Sequence, residues 1–280
     1  MRKKGSTILL ILIFVVGLGI FAYPKVADKW NSYHSSRAIM AYNDVVSGMS
    51  DEEYERLISA AEEYNRNVLT RSNPYTPTDE ELAEYYTLLD VAGNGVMGYI
   101  EIPFINVSLP VYHGTSESVL QIAVGHLEWT SLPVGGASTH AVLSGHRGLP
   151  SAELFTHLDR LVEGDRFMLY ILNDVLTYEI DQIHIVLPEE ISDLQITAGE
   201  DYCTLITCTP YGVNTHRMLV RGHRVDTEFE HNVRVTSDAI QIEPVLVAPI
   251  IGIPFLIAVL TVMFISDRKQ WNEKLENEDQ

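Results

Sequence analysis

Cysteine is scarce in this chain: two residues in 280, Cys203 and Cys208, too few for a disulfide framework. Both fall on one proposed strand, so at about 3.3 Å per residue their Cα atoms stand some 16 Å apart, on opposite faces. A disulfide requires less than about 7 Å, and both are expected as free thiols. Positive charge is also in short supply, with 19 Lys and Arg against 38 Asp and Glu and a net charge of -19. A phosphate-backbone partner is thereby set aside, so no nucleic acid is expected. Histidine is not scarce, at ten residues, yet close metal-binding pairs are missing. His140 with His146 has neither zinc spacing nor a carboxylate companion, and Cys203-x4-Cys208 does not fit a zinc knuckle. No metal and no other cofactor is expected. Internal repeats and low-complexity segments are absent too, which excludes a solenoid.

Two long apolar runs are present. Residues 2 to 4, Arg-Lys-Lys, precede Ile8 to Ala22, which suits a membrane anchor or the core of a secretory signal, and residues 1–23 are read as that segment. Val245 to Ile265 carries no charge and is followed by Asp267, Arg268 and Lys269. It reads as a transmembrane helix about 30 Å long, leaving 266–280 as a tail. Basic residues outside each run place both termini in the cytoplasm and the stretch between them outside the cell.

Residues 24–95 turn helical. Ser50 with Glu53 and Thr78 with Glu81 are capping pairs, and apolar residues at helical spacing predict helices over about 51–69 and 79–89. In the second, Leu82, Tyr85, Tyr86 and Leu89 should face inward. Between them lies Arg71-Ser-Asn-Pro-Tyr-Thr-Pro77, whose prolines forbid helix and favour an extended loop, on local grounds a linker turn. Residues 96–230 form the next domain, and 231–244 a linker. Val96–Ile102, Val107–Val111, Thr139–Ser144, Arg166–Leu172, Val175–Leu187 (two strands around a bend), Tyr202–Cys208 and His216–Arg224 are β-rich runs broken by turn residues. Around eight strands without βαβ alternation predict a mainly β fold, a closed or nearly closed barrel. A short helix is expected over Ser151–Leu161, ended by Gly164.

The chemistry concentrates between Asp201 and Arg224. Two β-rich runs flank a loop holding Pro210, Gly212 and Asn214, so Cys208 enters the loop while Arg217 opens the return strand nearly opposite. A thiol at a strand end beside a fixed positive charge suits a nucleophile. Cys203 reads as a small core residue. The proton partner is open among ten histidines. His146 has a local argument, since Gly145-His-Arg-Gly148 lets the chain turn sharply at a strand end; His126 and His216 are the other candidates.

Several blocks in one order resemble the class C, pilin-polymerising sortases, the cysteine transpeptidases of Gram-positive cell surfaces. They are Gly-Tyr-Ile-Glu-Ile-Pro (98 to 103), Leu-Pro-Val-Tyr-His-Gly-Thr (109 to 115), Gly-His-Leu-Glu (125 to 128), Leu-Ser-Gly-His-Arg-Gly (143 to 148) and Thr204-Leu-Ile-Thr-Cys208 with Arg217. The resemblance implies an eight-stranded sortase-type β-barrel, which joins the N-terminal helices and flanking transmembrane helices read above. It implies Cys208, His146 and Arg217 as catalytic residues, and a lid over 71–77 carrying Asn73, Pro74 and Tyr75. Pro74 and Tyr75 match the family's lid triplet, but Asn73 replaces its acid, so the ion pair to the arginine is lost. The implied partners are the membrane and pilin subunits or surface proteins bearing Leu-Pro-x-Thr-Gly-like sorting signals. The acceptor would be a pilin lysine; a cell-wall precursor amine is the alternative, and a non-catalytic anchored barrel that only binds is another.

Overall fold

The computed structural model describes residues 2–71 and 75–227. Asn73, Pro74, the 231–244 linker, the Val245–Ile265 run and the tail lie outside the described residues.

The chain opens with one long helix, α1 (Arg2–Ser47), which passes through Pro24 without ending there. The apolar run and the segment after it are therefore one rod. Proline removes one ladder hydrogen bond from it. Ile13, Val16 and Ile20 are exposed on this helix, so no other part of the described chain covers its apolar stretch. In α2 (Asp51–Val68) the Ser50 hydroxyl accepts from the Glu53 amide, and three acidic residues occupy the positive first turn. Its buried Asn65 donates to the Leu132 carbonyl at 3.0 Å and accepts from the Leu132 amide at 2.7 Å, fastening the helix to a barrel loop.

The capping box at Thr78 and Glu81 is complete, with both reciprocal bonds made, and starts α3 (Asp79–Tyr85). This helix stops short of the expected 89. Leu89 takes a positive φ of 60° and is fully buried, which means that the chain leaves the helix to drive this side chain into the core. Tyr86, expected inward, is exposed as a result.

Eight strands follow: β1 (Val96–Ile102), β2 (Val107–His113), β3 (Val124–His126), β4 (Thr139–Ser144), β5 (Arg166–Ile171), β6 (Asp174–Val186), β7 (Asp201–Thr209) and β8 (His216–Val225), with the four-residue α4 (Glu117–Leu120) before β3. They close into a barrel in the order β1-β2-β3-β4-β7-β8-β6-β5. The β2–β3 and β4–β7 pairs are parallel and the others antiparallel. Ile100, Leu169, Leu205 and Val220 fill the interior with the stacked rings of Phe167 and Tyr178, 5.5 Å apart.

Three readings are corrected. Val175–Leu187 is one strand, bent by a register shift between Ile180 and Gln182 rather than broken in two. β3 was not anticipated, because three residues leave no alternation to read. The helix expected over Ser151–Leu161 is absent: the segment consists of turns and one 3-10 turn, Leu158–Arg160. Phe155 is fully buried there, and its amide is taken by the His146 carbonyl at 3.1 Å, so the backbone is satisfied without a helix.

Candidate active site

In the β7–β8 ladder Cys208 pairs directly with Arg217. The parallel β4–β7 ladder brings in the third residue. Ser144 pairs with Ile206, the Gly145 amide donates to the Ile206 carbonyl at 3.0 Å, and the Thr207 hydroxyl donates to the Gly145 carbonyl at 2.8 Å. β4 ends at Ser144, and His146 follows two residues later in the turn beyond it, at the same end of the barrel as Cys208 near the end of β7. Alternation along β7 and β8 puts Cys208 with Ile206 and Arg217 with Leu219 on the outer face. Cys203, Leu205 and Thr207 point the other way and are buried. The two cysteines are free, as the opposite-face argument requires. Burial pushes the Cys203 thiol pKa well up, leaving it an inert thiol in the core.

The turn after β4 is shaped by close packing. A Cβ on Gly145 would come within 2.7 Å of the Phe155 ring, so only glycine lets the chain pass. Arg147 ties the turn down. Its guanidinium pairs with Asp159 and also donates to the Thr209 hydroxyl, next to Cys208, at 3.4 Å. His146 itself is half-buried, with Nε2 3.8 Å from a Glu117 carboxylate that is largely exposed, a pair worth little in water. The Arg217 Nη1 donates to two nearby carbonyls, of Asn214 at 3.3 Å and His216 at 3.1 Å, so part of its guanidinium is committed to its own turn.

The other histidine candidates are used up by the fold or displaced. His126 is fully buried between the Tyr85 hydroxyl at 3.0 Å and the Ser131 carbonyl at 2.8 Å. A carbonyl can only accept, so Nε2 carries the proton and Nδ1 receives one from Tyr85. Burial pushes the imidazole pKa down to about 3. His216 pairs with Thr209, one step beyond Cys208, and its ring meets the Thr215 hydroxyl. His140 is held between the Gln195 carbonyl and the Thr204 hydroxyl, and burial lowers its pKa.

A cavity of about 400 Å³ adjoins the outer face at Ser144, Ile206 and Arg217. Its walls come from separate parts of the chain, including Leu120, Trp129, Val186 and Leu194, and two acids, Glu128 and Glu190, stand at its edge. None of these was legible as site residues, since no segment contributes more than a few of them. Tyr75, of the expected lid, packs edge-on against Trp129 with ring centroids 5.4 Å apart, and its hydroxyl accepts from Gln195 Nε2 at 2.9 Å. Tyr75 thus rests on a wall of the cavity. Arg71, at the start of the loop, is held by Glu81 at 2.9 Å and lies 4.8 Å from the Tyr64 ring centroid.

The sortase domain family matches residues 100–225. The crystal structure of sortase C1 from Streptococcus agalactiae is 54% identical and superposes with a TM-score of 0.67, covering 69% of this chain and 100% of that one. Sortase C from Clostridium perfringens, solved with the C-terminal cell wall sorting motif, is 44% identical with a TM-score of 0.61, covering 68% of this chain and 99% of its own. Among curated proteins, Sortase A of Streptococcus agalactiae is 32% identical over 130 residues, 45% of this chain and 52% of that protein, so the match spans about half the length of that relative. The closed barrel order and full coverage of a 54%-identical sortase C1 establish that this chain belongs to the sortase family, with sortase C structures among its neighbours.

Proposed function

We propose that this protein is a membrane-anchored cysteine transpeptidase that acts on Leu-Pro-x-Thr-Gly-like sorting signals and passes the acyl group to a pilin lysine. The observation that carries the reading is the meeting of Cys208 and Arg217 across β7 and β8, with His146 in the turn that follows β4, the parallel neighbour of β7. Similarity to a sortase C solved with a sorting motif supports the substrate class.

The Cys208 thiolate adds to the threonyl carbonyl, and Arg217 donates hydrogen bonds to the oxyanion or to the substrate backbone. As the Thr–Gly C–N bond breaks, protonated His146 gives its proton to the departing glycine amine. A thioacyl enzyme remains. An incoming lysine amine attacks the thioester, its proton passes to His146, the C–S bond breaks and an isopeptide bond forms. The cavity beside Arg217 is the place for the sorting signal, and Tyr75 lies against its wall. With Asn73 in place of an acid, the lid closes through Tyr75 rather than through an ion pair.

α1 has the length and composition to cross a membrane, and Val245–Ile265 is read as a second span, leaving the barrel outside the cell. Substrates held in the same membrane then meet the enzyme at high effective concentration. Mass spectrometry of the protein incubated with a Leu-Pro-x-Thr-Gly peptide tests the reading. A thioacyl adduct on Cys208, absent in Cys208→Ala, is the expected result; a chain unmodified even with Tyr75→Ala refutes it. Supplying a pilin lysine peptide or a wall-precursor amine then identifies the acceptor from the product.

A further inference from the structure

Pairing fixes which end of the barrel α1 leaves. β1 is antiparallel to β2, β2 parallel to β3, β3 antiparallel to β4 and β4 parallel to β7, so β1, β4 and β7 run in one direction. Cys208 and the His146 turn lie at the carboxyl ends of β7 and β4; the start of β1 marks the opposite end. α1 touches both ends. The Tyr42 hydroxyl donates to the Met97 carbonyl at the start of β1 and accepts from the Leu172 amide just past β5, an antiparallel neighbour of β1. Earlier in the helix, Asn31 donates to the Ser151 carbonyl at 2.8 Å and Asp28 accepts from the Glu153 amide at 2.9 Å. Ser151 and Glu153 belong to the loop that follows His146 and is bonded back to it through Phe155. The stretch from Asn31 to Tyr42 covers about 17 Å, enough to run along the barrel wall.

The apolar half of α1 therefore projects past the Cys208 end. Lys25 is the first charge after the apolar run, and Asp28 and Asn31 follow only about 5 and 9 Å further along the axis. Tyr23, Trp30 and Tyr33 are all more than half exposed around this junction, the arrangement of an interfacial aromatic belt. We propose that α1 holds the barrel with its Cys208 end turned toward the bilayer, so that the loop after His146 and the β7–β8 turn, with exposed Tyr211 and Val213, lie against lipid headgroups. This rests on α1 being a membrane anchor. A sorting signal close to its own membrane span then reaches the cleft without a long tether.

The test uses the full chain, reconstituted in phosphatidylcholine–phosphatidylglycerol vesicles containing a gadolinium-chelating headgroup lipid. A nitroxide is placed on Tyr211→Cys or, at the far end beside the start of β7, on Glu200→Cys, each in a Cys208→Ala background; Cys203 is fully buried. The expected result is severalfold stronger relaxation of the Tyr211 label. Equal or reversed relaxation in chains that float with the vesicles overturns the orientation. Failure to float overturns the anchor reading itself, so the two failures are told apart.

A separate observation concerns amines. The lysines fall at positions 3, 4, 25, 29, 269 and 274, and between residues 30 and 268 there are twelve arginines and no lysine. A thioester is open to any deprotonated amine in reach; lysine, with a pKa near 10.4, supplies some at neutral pH, whereas a guanidinium stays protonated. We infer that the lysine-free barrel keeps the thioacyl enzyme from being resolved by barrel side chains, which rests on the amine-transfer reading; Lys25 of α1, at the same end, pairs with Glu153 at 3.7 Å. Leu187→Lys and Val213→Lys place an amine on exposed positions near the cleft, and Glu200→Lys places one at the far end. With sorting peptide and no acceptor, the first two should acquire a hydroxylamine-resistant acyl group on the new lysine, and Glu200→Lys none. Turnover like the parent's, with no such adduct on any variant, overturns the inference; absence of a thioacyl adduct in the parent would instead remove the function it rests on.

Discussion

The Tyr85 hydroxyl donates to His126 Nδ1 across 3.0 Å in the core and accepts from the Gly114 amide at 3.0 Å, so one side chain of α3 completes the hydrogen bonding of two barrel groups. Removing that hydroxyl leaves a buried acceptor and a buried donor unpaired. Tyr85→Phe should lower unfolding stability by about 2 to 6 kcal/mol, at about 1 to 3 for each of the two unsatisfied groups, read from urea unfolding.

The same pair sets a pH dependence. His126 is neutral in the folded protein, with its pKa pushed by burial to about 3, against about 6.5 in the unfolded chain. The unfolded state binds the extra proton first as pH falls. The stability associated with His126 is therefore whole above about 6.5 and is lost as pH drops from there toward 3, at up to about 1.4 kcal/mol per unit. Urea midpoints measured between pH 7 and 4 should fall less steeply in His126→Gln than in the parent; identical slopes would refute this.

Thiol reactivity should divide sharply. Cys208 is partly exposed at a strand end and Cys203 is fully buried on the opposite face. Iodoacetamide should modify Cys208 in the native protein and Cys203 only after denaturation, as peptide mapping would reveal. Cys203→Ala should keep peptide labelling of Cys208 while losing about 1 kcal/mol or more of stability to the cavity it leaves.

Tyr75 meets the Trp129 ring edge-on and accepts a hydrogen bond from Gln195, two contacts through which the proposed lid would hold. Each is worth about 1 kcal/mol, a factor of about five in an open-to-closed ratio. Trp129→Leu or Gln195→Ala should raise the rate of Cys208 acylation by a sorting peptide by up to about fivefold. An unchanged rate in both would show that Tyr75 does not gate the cleft.

Gly145→Ala would drive a methyl group into the Phe155 ring. The expected cost is about 1 to 3 kcal/mol from overpacking, together with displacement of the neighbouring His146 turn and at least a tenfold loss of acylation rate. Phe155→Leu in the same chain should restore much of the rate; no recovery would place the defect elsewhere.

What the sequence determined by itself is local. Capping pairs at Ser50 and Thr78 started their helices where expected because the cap and the groups it satisfies lie within one turn. The β7–β8 hairpin was legible because strand alternation and a polar turn together fix which residues face each other, which set Cys208 opposite Arg217 and Cys203 on the other face. Where a short helix is expected over Ser151–Leu161, burial of Phe155 against Gly145 and the bond to His146 set the backbone instead, a contact the segment itself does not encode. Only the tertiary structure decided that His126 and His140 are consumed as neutral core groups while His146 stays half-buried in the turn after β4. It also decided the cavity, whose walls are brought together from remote segments, and the direction in which α1 leaves the barrel. Each of these depends on which strands become neighbours, and strand order follows from how the whole apolar surface is buried at once.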